Sequence, residues 1–203
     1  MKDSRHKQSI STDALDFSNL RMHLLTSDRW DDFRQLFGAQ GACGGCWCMW
    51  WRLTRSEFEQ NKGQKNKEAM RDIVHTGEIP GILLYQGSKP IAWCSIAPRE
   101  RYPGLGRSRV LGRVDDKPVW SIVCFYIIKE CRKKGLLEYL INAAVMYAQD
   151  EGATIAEAYP VEPQKGKIAD VFAWTGIASA FRKCGFKEVA RRSPTRPIMR
   201  LPL

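Results

Sequence analysis

Residues 119–161 contain the pattern that most constrains the fold: a buried strand, an amphipathic helix and a second strand in close succession. VWSIVCFYII at 119–128 is β-branched, aromatic and almost uncharged, which is typical of a central strand covered on both faces. GLLEYLINAAVMYAQDEGA at 135–153 repeats apolar residues at helical spacing and approaches a helix-ending glycine at Gly152. ATIAEAYPV at 153–161 predicts the next strand. Together these segments predict a βαβ unit with two parallel strands, and therefore an α/β protein.

Shorter elements are predicted on either side of this unit. Their signals are a strand at 21–25, a helix capped by Ser27, a capping box of Thr54 and Glu57, a hairpin turning at Gly87 and Ser88, a short helix at 177–184 and a terminal hairpin around Ser193, Pro194 and Thr195. A chain of 203 residues fits one domain. We therefore expect a mobile N-terminal tail at 1–17 and a single domain at 18–203.

Composition limits the class of protein and its partners. The formal net charge of +10 suits an anionic partner. The basic residues occur in short clusters without interleaved aromatics, so a nucleic-acid-binding module is retained only as an alternative. No apolar run has the roughly 18 residues of a membrane span, and the polar start MKDSRHKQSISTD lacks the core of a signal peptide. Seven cysteines, an odd number, predict free thiols in a reducing cytoplasm.

The junction between the first strand and the helix of the βαβ unit predicts an anion site. The first N–H groups of a helix lack intrahelical partners and carry the positive end of the helix dipole. Gly135 lets the backbone approach an anion closely, and Arg132, Lys133 and Lys134 add full charges. This combination suits a pyrophosphate. The alternative is a basic, solvated turn before an amphipathic helix.

Two motifs resemble the GNAT superfamily of acyl-CoA N-acyltransferases. CRKKGLL at 131–137 resembles the acyl-CoA loop R/Q-x-x-G-x-G/A, with Arg132 at the Arg/Gln position and Gly135 at the first Gly. Leu137 stands where the family prefers Gly or Ala. FRKCGF at 181–186 resembles the family's later YEKLGF element. The resemblance covers about residues 20–203.

The resemblance implies a fold, an activity and a set of binding residues. The implied fold is an α/β protein of the α+β type, with a mixed, partly split central sheet flanked by helices. The implied activity is N-acetyltransfer from acetyl-CoA, as co-substrate, to a small-molecule or peptide amine. The implied cofactor-binding residues are Phe125, Tyr126 and Ile127 for the pantetheine arm, and Arg132, Lys133, Lys134, Gly135, Leu136 and Leu137 for the pyrophosphate. A CoA-binding protein without catalysis is the alternative; a homodimer is left open, and no membrane partner is expected.

The catalytic groups are predicted from a motif residue that this chain lacks. The family usually supplies the general acid as a tyrosine where this chain has Phe181. Tyr159, at the end of the second strand of the unit, is the predicted substitute, and Ser179 is an alternative. Glu157 is the predicted base because a carboxylate in an apolar strand near a cleft often has a raised pKa. Glu100, Glu162 and a chain of waters are alternatives for the base.

CGGCWCMWW at 43–51 concentrates three cysteines and three tryptophans. A structural zinc needs four ligands, usually in paired clusters, and the chain has no second CxxC motif, although His75 could be a fourth ligand. We therefore expect no bound metal. The resemblance implies that this segment borders the acceptor site, so Trp47, Trp50 and Trp51 are expected to form the wall of an acceptor pocket, with plain core packing or a reactive thiol as alternatives.

Overall fold

The computed structural model describes residues 15–164 and 172–203, and a seven-stranded sheet organises this part of the chain. The strands are β1 (Leu20–Leu24), β2 (Gly81–Gln86), β3 (Lys89–Pro98), β4 (Trp120–Ile127), β5 (Ile155–Ala158), β6 (Lys187–Arg191) and β7 (Pro197–Pro202). Their order in the sheet is β1-β2-β3-β4-β5-β7-β6. Only β4 and β5 run parallel; the other neighbours are antiparallel. The predicted mixed sheet of an α/β protein is confirmed.

Helices cover both faces of this sheet. They are α1 (Trp30–Phe37), α2 (Arg55–Asn61), α3 (Gln64–His75), α4 (Pro103–Gly106), α5 (Leu136–Asp150) and α6 (Ala178–Lys183). The amphipathic helix α5 packs on β3 and β4 and buries Leu140, Ile141 and Ala144 in the larger core. Helix α1 packs on the opposite face of β3, where Phe33 and Trp93 meet in an edge contact with ring centroids 4.9 Å apart.

Several local predictions agree with the structure. The βαβ unit is present as β4, α5 and β5, and both hairpins form where their turn residues predicted them. The Thr54 and Glu57 capping box starts α2: the Thr54 hydroxyl accepts from the Glu57 N–H, and the Glu57 carboxylate accepts from the Thr54 N–H. The prediction for Ser27 is wrong, because Ser27 opens a 3₁₀ turn and no side chain caps α1.

Most of the predicted N-terminal tail, residues 1–14, lies outside the described residues. The last part of that tail does contact the domain. Leu15 packs against the larger core, and the Phe17 ring lies 6.3 Å from the Tyr139 ring on α5. A sequence boundary at residue 17 therefore falls inside a packed segment.

Candidate functional site

The two parallel strands of the sheet separate halfway along β4. They pair at only three positions, from Trp120 with Ala156 to Ile122 with Ala158. Beyond Ile122, β4 continues to Ile127, and no strand of residues 15–164 or 172–203 pairs with it on this side. The segment after the undescribed residues lies there instead: the Phe125 N–H donates to the Trp174 carbonyl over 2.6 Å. The sheet is thus split on one side of its central strand.

A cavity of about 1220 Å³ opens at this split. The parts of the chain that surround it include the end of β4, the 42–51 segment, α2, the loop and first turn of α5, and α6 with the segment before it. Eight of the nine predicted cofactor-binding residues line it, namely Phe125, Tyr126, Ile127, Arg132, Lys133, Gly135, Leu136 and Leu137. Lys134 is exposed and does not line the cavity.

The N-terminus of α5 forms the basic end of this cavity. Gly135 adopts a left-handed conformation with φ of 83°, which glycine tolerates without strain, and no side chain caps the helix. The uncapped N–H groups carry the positive end of the helix dipole. Arg132 is positioned by a bond from its Nε to the Ile127 carbonyl over 2.9 Å, and Lys133 contributes a second positive charge. This end of the cavity suits an anion.

Aromatic rings form a second wall of the cavity. Trp50, Trp51, Phe58 and Trp174 all line it. The Trp50 ring lies 4.9 Å from Phe58 and 6.4 Å from Trp174, both edge-on, and Trp51 lies 5.9 Å from Trp174 at an interplanar angle of 35°. Trp47 takes no part, because it is 3% exposed and stacks on Phe37 in the core. The predicted pocket wall therefore holds for Trp50 and Trp51 but not for Trp47.

Two thiols lie deeper on the same cavity wall. Cys48 and Cys124 both line the cavity, and the indole N–H of Trp93 donates to the Cys48 sulfur over 3.3 Å. Hydrogen bonding from the Cys124 thiol, opposed by burial and assisted by the Trp93 bond, lowers the pKa of Cys48 to about 7. The same interaction, together with burial, raises the pKa of Cys124 well above its ordinary value. Cys48 therefore resembles a titrating group at neutral pH.

The other cysteines of the motif are placed less specifically. Cys43 is exposed and Cys46 is half-buried, and the Cys46 thiol donates to the Gly41 carbonyl over 3.5 Å. His75 is bonded to the backbone of its own helix at Arg71. Across residues 15–164 and 172–203, no group of three or more His, Cys, Asp or Glu side chains is arranged to hold a metal ion. The expectation of no bound metal stays a prediction.

The two predicted catalytic residues lie away from the cavity lining. Tyr159 and Glu157 are both completely buried. The Glu157 carboxylate accepts from Arg99 over 2.7 Å, from Arg200 over 2.7 Å and from the Tyr159 hydroxyl over 2.5 Å. This cluster extends to Ser121, whose hydroxyl lies 2.8 Å from that of Tyr159.

This placement does not favour the predicted acid and base roles. Burial, with the Glu157 charge second, raises the pKa of Tyr159 well above its ordinary value. Glu157 is held by two guanidinium groups and faces no described part of the cavity. Both side chains instead bind Arg99. Arg99 also donates to the Leu111 carbonyl and so attaches the 99–117 segment to the sheet. Their catalytic roles stay predictions.

The alternatives named from the sequence are distributed differently. Ser179 lines the cavity and is exposed. Glu162 also lines it, but ion pairs with Arg182 and Arg191 lower the pKa of this carboxyl. Glu100 is exposed, bonded to Arg113 over 2.6 Å, and is not part of the described lining. Ser179 is thus the accessible hydroxyl among the alternatives.

Phe181 occupies a position beside the central strand. It is fully buried, and its ring lies 6.0 Å from Phe125 and 5.0 Å from Phe186. A tyrosine at this position would bring a hydroxyl close to β4, whereas phenylalanine completes an apolar cluster. Gly176 packs against the same rings: a Cβ built there would approach Phe181 to 2.8 Å.

The cavity-lining residues that sequence reasoning missed include Phe58, Cys124 and Trp174. The signal for Phe58 was its place as the apolar residue that directly follows the Thr54 and Glu57 capping box. Cys124 belongs to the strand predicted to bind the cofactor, and its alternation with Phe125 predicts a side chain on the opposite face. Trp174 had no local signal, since its position depends on the hydrogen bond to β4.

Comparison with known proteins identifies the family. Residues 47–169 match the model of the acetyltransferase (GNAT) family. The match covers more than half of the chain, so the chain belongs to this family. The protein is accordingly an acetyltransferase, an enzyme of acyl transfer. This assignment favours the acyltransferase interpretation over a nucleic-acid-binding module. A search of the curated proteins finds no match to this chain.

Solved structures with the same fold support this assignment. PaiA N-acetyltransferase from Thermoplasma acidophilum, in complex with coenzyme A, is similar with a TM-score of 0.51 and 13% identity over 91% of this chain and 99% of that one. An N-acetyltransferase from Staphylococcus aureus Mu50 is similar with a TM-score of 0.53 and 10% identity over 91% of this chain and 98% of that one. The polyamine N-acetyltransferase of Drosophila melanogaster, which forms N-acetylagmatine, has a TM-score of 0.54 and 10% identity over 91% of this chain and 100% of that one. At these identities the similarity shows the fold.

Among the helices of residues 15–164 and 172–203, none combines the length and the apolarity that crossing a bilayer requires.

Proposed function

We propose that this acetyltransferase transfers the acetyl group of acetyl-CoA to a primary amine by direct attack, within a single domain at 18–203. The observation that carries the proposal is the cavity that joins the uncapped N-terminus of α5 to the open side of β4. One end suits a pyrophosphate, and the strand beside it suits an extended arm bound by its backbone. All seven cysteines are free thiols, which agrees with the expected cytoplasmic location.

The residues at the basic end fit the proposed co-substrate. The left-handed Gly135 leaves the first turn of α5 accessible, and a Cβ at this position would already contact Phe17 at 3.6 Å. Arg132 and Lys133 supply charge at the same end. The Phe125 N–H is bonded to the Trp174 carbonyl, so its use by the pantetheine arm or the thioester requires Trp174 to release it. The Trp174 carbonyl is therefore proposed to release this bond when acetyl-CoA binds, while the Trp174 ring stays beside Trp51.

The reaction needs geometry and one proton donor. The neutral amine attacks the thioester carbonyl, the carbon–sulfur bond breaks, the departing thiolate takes a proton from the donor, and the proton lost by the attacking nitrogen passes to solvent and restores the donor. Because Phe181 lacks a hydroxyl and Tyr159 lies outside the lining, we assign the donor role to the Cys48 thiol. Cys48 lines the cavity, is held by Trp93 and titrates near neutral pH, where a general acid is most effective. Ser179 is the second candidate on this wall.

The binding part of the proposal is tested by calorimetry with CoA. Gly135→Asp places a carboxylate and a Cβ at the anion end of α5, so we expect at least a tenfold loss of CoA affinity. Gly152→Asp is the matched control, because Gly152 has a similar φ of 79° at the opposite end of the same helix with open space around it. Equal affinity of wild type and Gly135→Asp would place the CoA site elsewhere. Release of free thiol from acetyl-CoA with an amine panel then tests turnover.

A further inference from the structure

The charged groups on the cavity wall carry information about the acceptor. Three carboxylates belong to the described lining, and each is already paired: Glu59 with Lys62 at 2.5 Å, Glu138 with Lys183 at 3.2 Å, and Glu162 with Arg182 at 2.5 Å. The described lining holds five basic side chains against these three acidic ones. Arg132 and Lys133 lie at the end assigned to the pyrophosphate, and the other three basic side chains are the partners of the carboxylates. The described wall away from that end therefore offers no unpaired carboxylate to attract an additional positive charge.

The aromatic wall offers few free faces to a cation. Aromatic faces attract ammonium and guanidinium groups, and a set of such rings can form a cage for them. Here the chain's own cations take two of the four rings: the Arg55 guanidinium lies 5.7 Å from the Trp50 centroid, and the Lys62 ammonium lies 5.7 Å from that of Phe58. The wall is therefore poorly suited to bind a second cationic group of a substrate.

The surface that remains is flat and apolar. Trp51 and Trp174 are both partly exposed and line the cavity, and their rings are inclined by only 35°. Aromatic rings bind other flat rings through offset or edge contacts that add to the burial of apolar area. These two indoles come from segments more than 120 positions apart in the sequence, and the fold brings them together at the cavity.

We propose that the acceptor is a monoamine carried on an aromatic body, which binds against Trp51 and Trp174, and that polyamines and guanidino amines are poor acceptors. This inference rests on the proposed acetyl transfer to an amine and specifies its substrate class. It separates this chain from the polyamine N-acetyltransferase whose fold it shares. The discriminating elements are the carboxylates of the described lining, each of which is already paired, and the indole faces.

The test compares three amines at a fixed concentration of acetyl-CoA. Phenethylamine is the aromatic probe, 2-cyclohexylethylamine is its non-planar counterpart of similar size, and agmatine is the guanidino amine. We expect kcat/KM for phenethylamine to exceed that for agmatine by up to about tenfold, the upper end of what one favourable ring contact provides. The cyclohexyl compound should fall between the two. A preference for agmatine would overturn the inference.

A pair of variants tests the assigned wall. Trp174→Leu should raise KM for phenethylamine about tenfold and remove the preference over the cyclohexyl compound. Phe172→Leu is the matched control, because Phe172 is 64% exposed and is not part of the described lining. An unchanged preference in Trp174→Leu would contradict the assignment of this ring.

A binding measurement separates this inference from the proposed function. Calorimetry with CoA alone tests the proposed function. Absence of CoA binding would contradict the proposed acetyl transfer, on which the inference about the amine rests. If CoA binds, phenethylamine and agmatine are titrated into the CoA-saturated enzyme. Tighter binding of phenethylamine supports the inference even if turnover is slow. Tighter binding of agmatine, or no binding of phenethylamine, refutes it.

Discussion

Replacing Tyr159 by phenylalanine distinguishes a structural role from a catalytic one. The Tyr159 hydroxyl donates to Glu157, accepts from Arg99 and lies 2.8 Å from the Ser121 hydroxyl, all inside the protein. The substitution keeps the ring, so no large cavity forms. It leaves Arg99 and Ser121 each with one partner fewer.

The magnitude follows from those lost contacts. Removing one partner from a buried polar group costs about 1–3 kcal/mol, with the larger values for charged groups. For a domain of this size, each kcal/mol lowers the melting temperature by about 2–4 °C. Tyr159→Phe should therefore melt roughly 2–12 °C below wild type. Because Tyr159 is not part of the described cavity lining, CoA affinity and kcat should change less than twofold.

Thermal unfolding followed by circular dichroism measures the loss, and calorimetry with CoA and steady-state turnover measure the site. Tyr102→Phe is the matched control, since Tyr102 is equally buried but its hydroxyl contacts only the neutral Ser95 hydroxyl, at 3.0 Å. It should melt at a higher temperature than Tyr159→Phe. An unchanged melting temperature with a large fall in kcat would refute this reasoning and restore Tyr159 as the acid.

Two further predictions concern Cys48 on the cavity wall and Gly176 beside Phe181. Because the pKa of Cys48 is lowered to about 7, its thiol is protonated below that pH and ionised above it, so kcat should fall as pH rises through about 7 if this thiol is the acid. Cys48→Ala should then lower kcat about 10²–10⁴-fold. An unchanged kcat in this variant would transfer the role to Ser179. Gly176→Ala should destabilise the protein by about 1–3 kcal/mol because its Cβ would approach Phe181 to 2.8 Å, while Gly152→Ala, with the same φ of 79° and open space around it, should lose less; equal melting temperatures would contradict the clash.

Local sequence determined the elements of this fold and one end of its site. The apolar run of β4 and the helical spacing of α5 depend only on neighbouring residues, so the βαβ unit could be predicted. The capping box at Thr54 and Glu57 is likewise a contact within one turn. The anion end also lies within one short segment, because the strand, Gly135 and the first turn of α5 are adjacent in sequence.

Only the tertiary structure decided the remainder of the site. The sequence places Glu157 in a strand near a cleft and Tyr159 at the end of that strand, but the alternation of a strand does not indicate which face meets solvent. Arg99 and Arg200, which lie 58 and 43 residues from Glu157, approach it only after folding and enclose it in a buried cluster. Trp174 joins Trp51 for the same reason, since a backbone bond to Phe125 places it at the split of the sheet. Contacts between distant segments depend on how the elements pack, and this packing cannot be predicted from short-range sequence patterns.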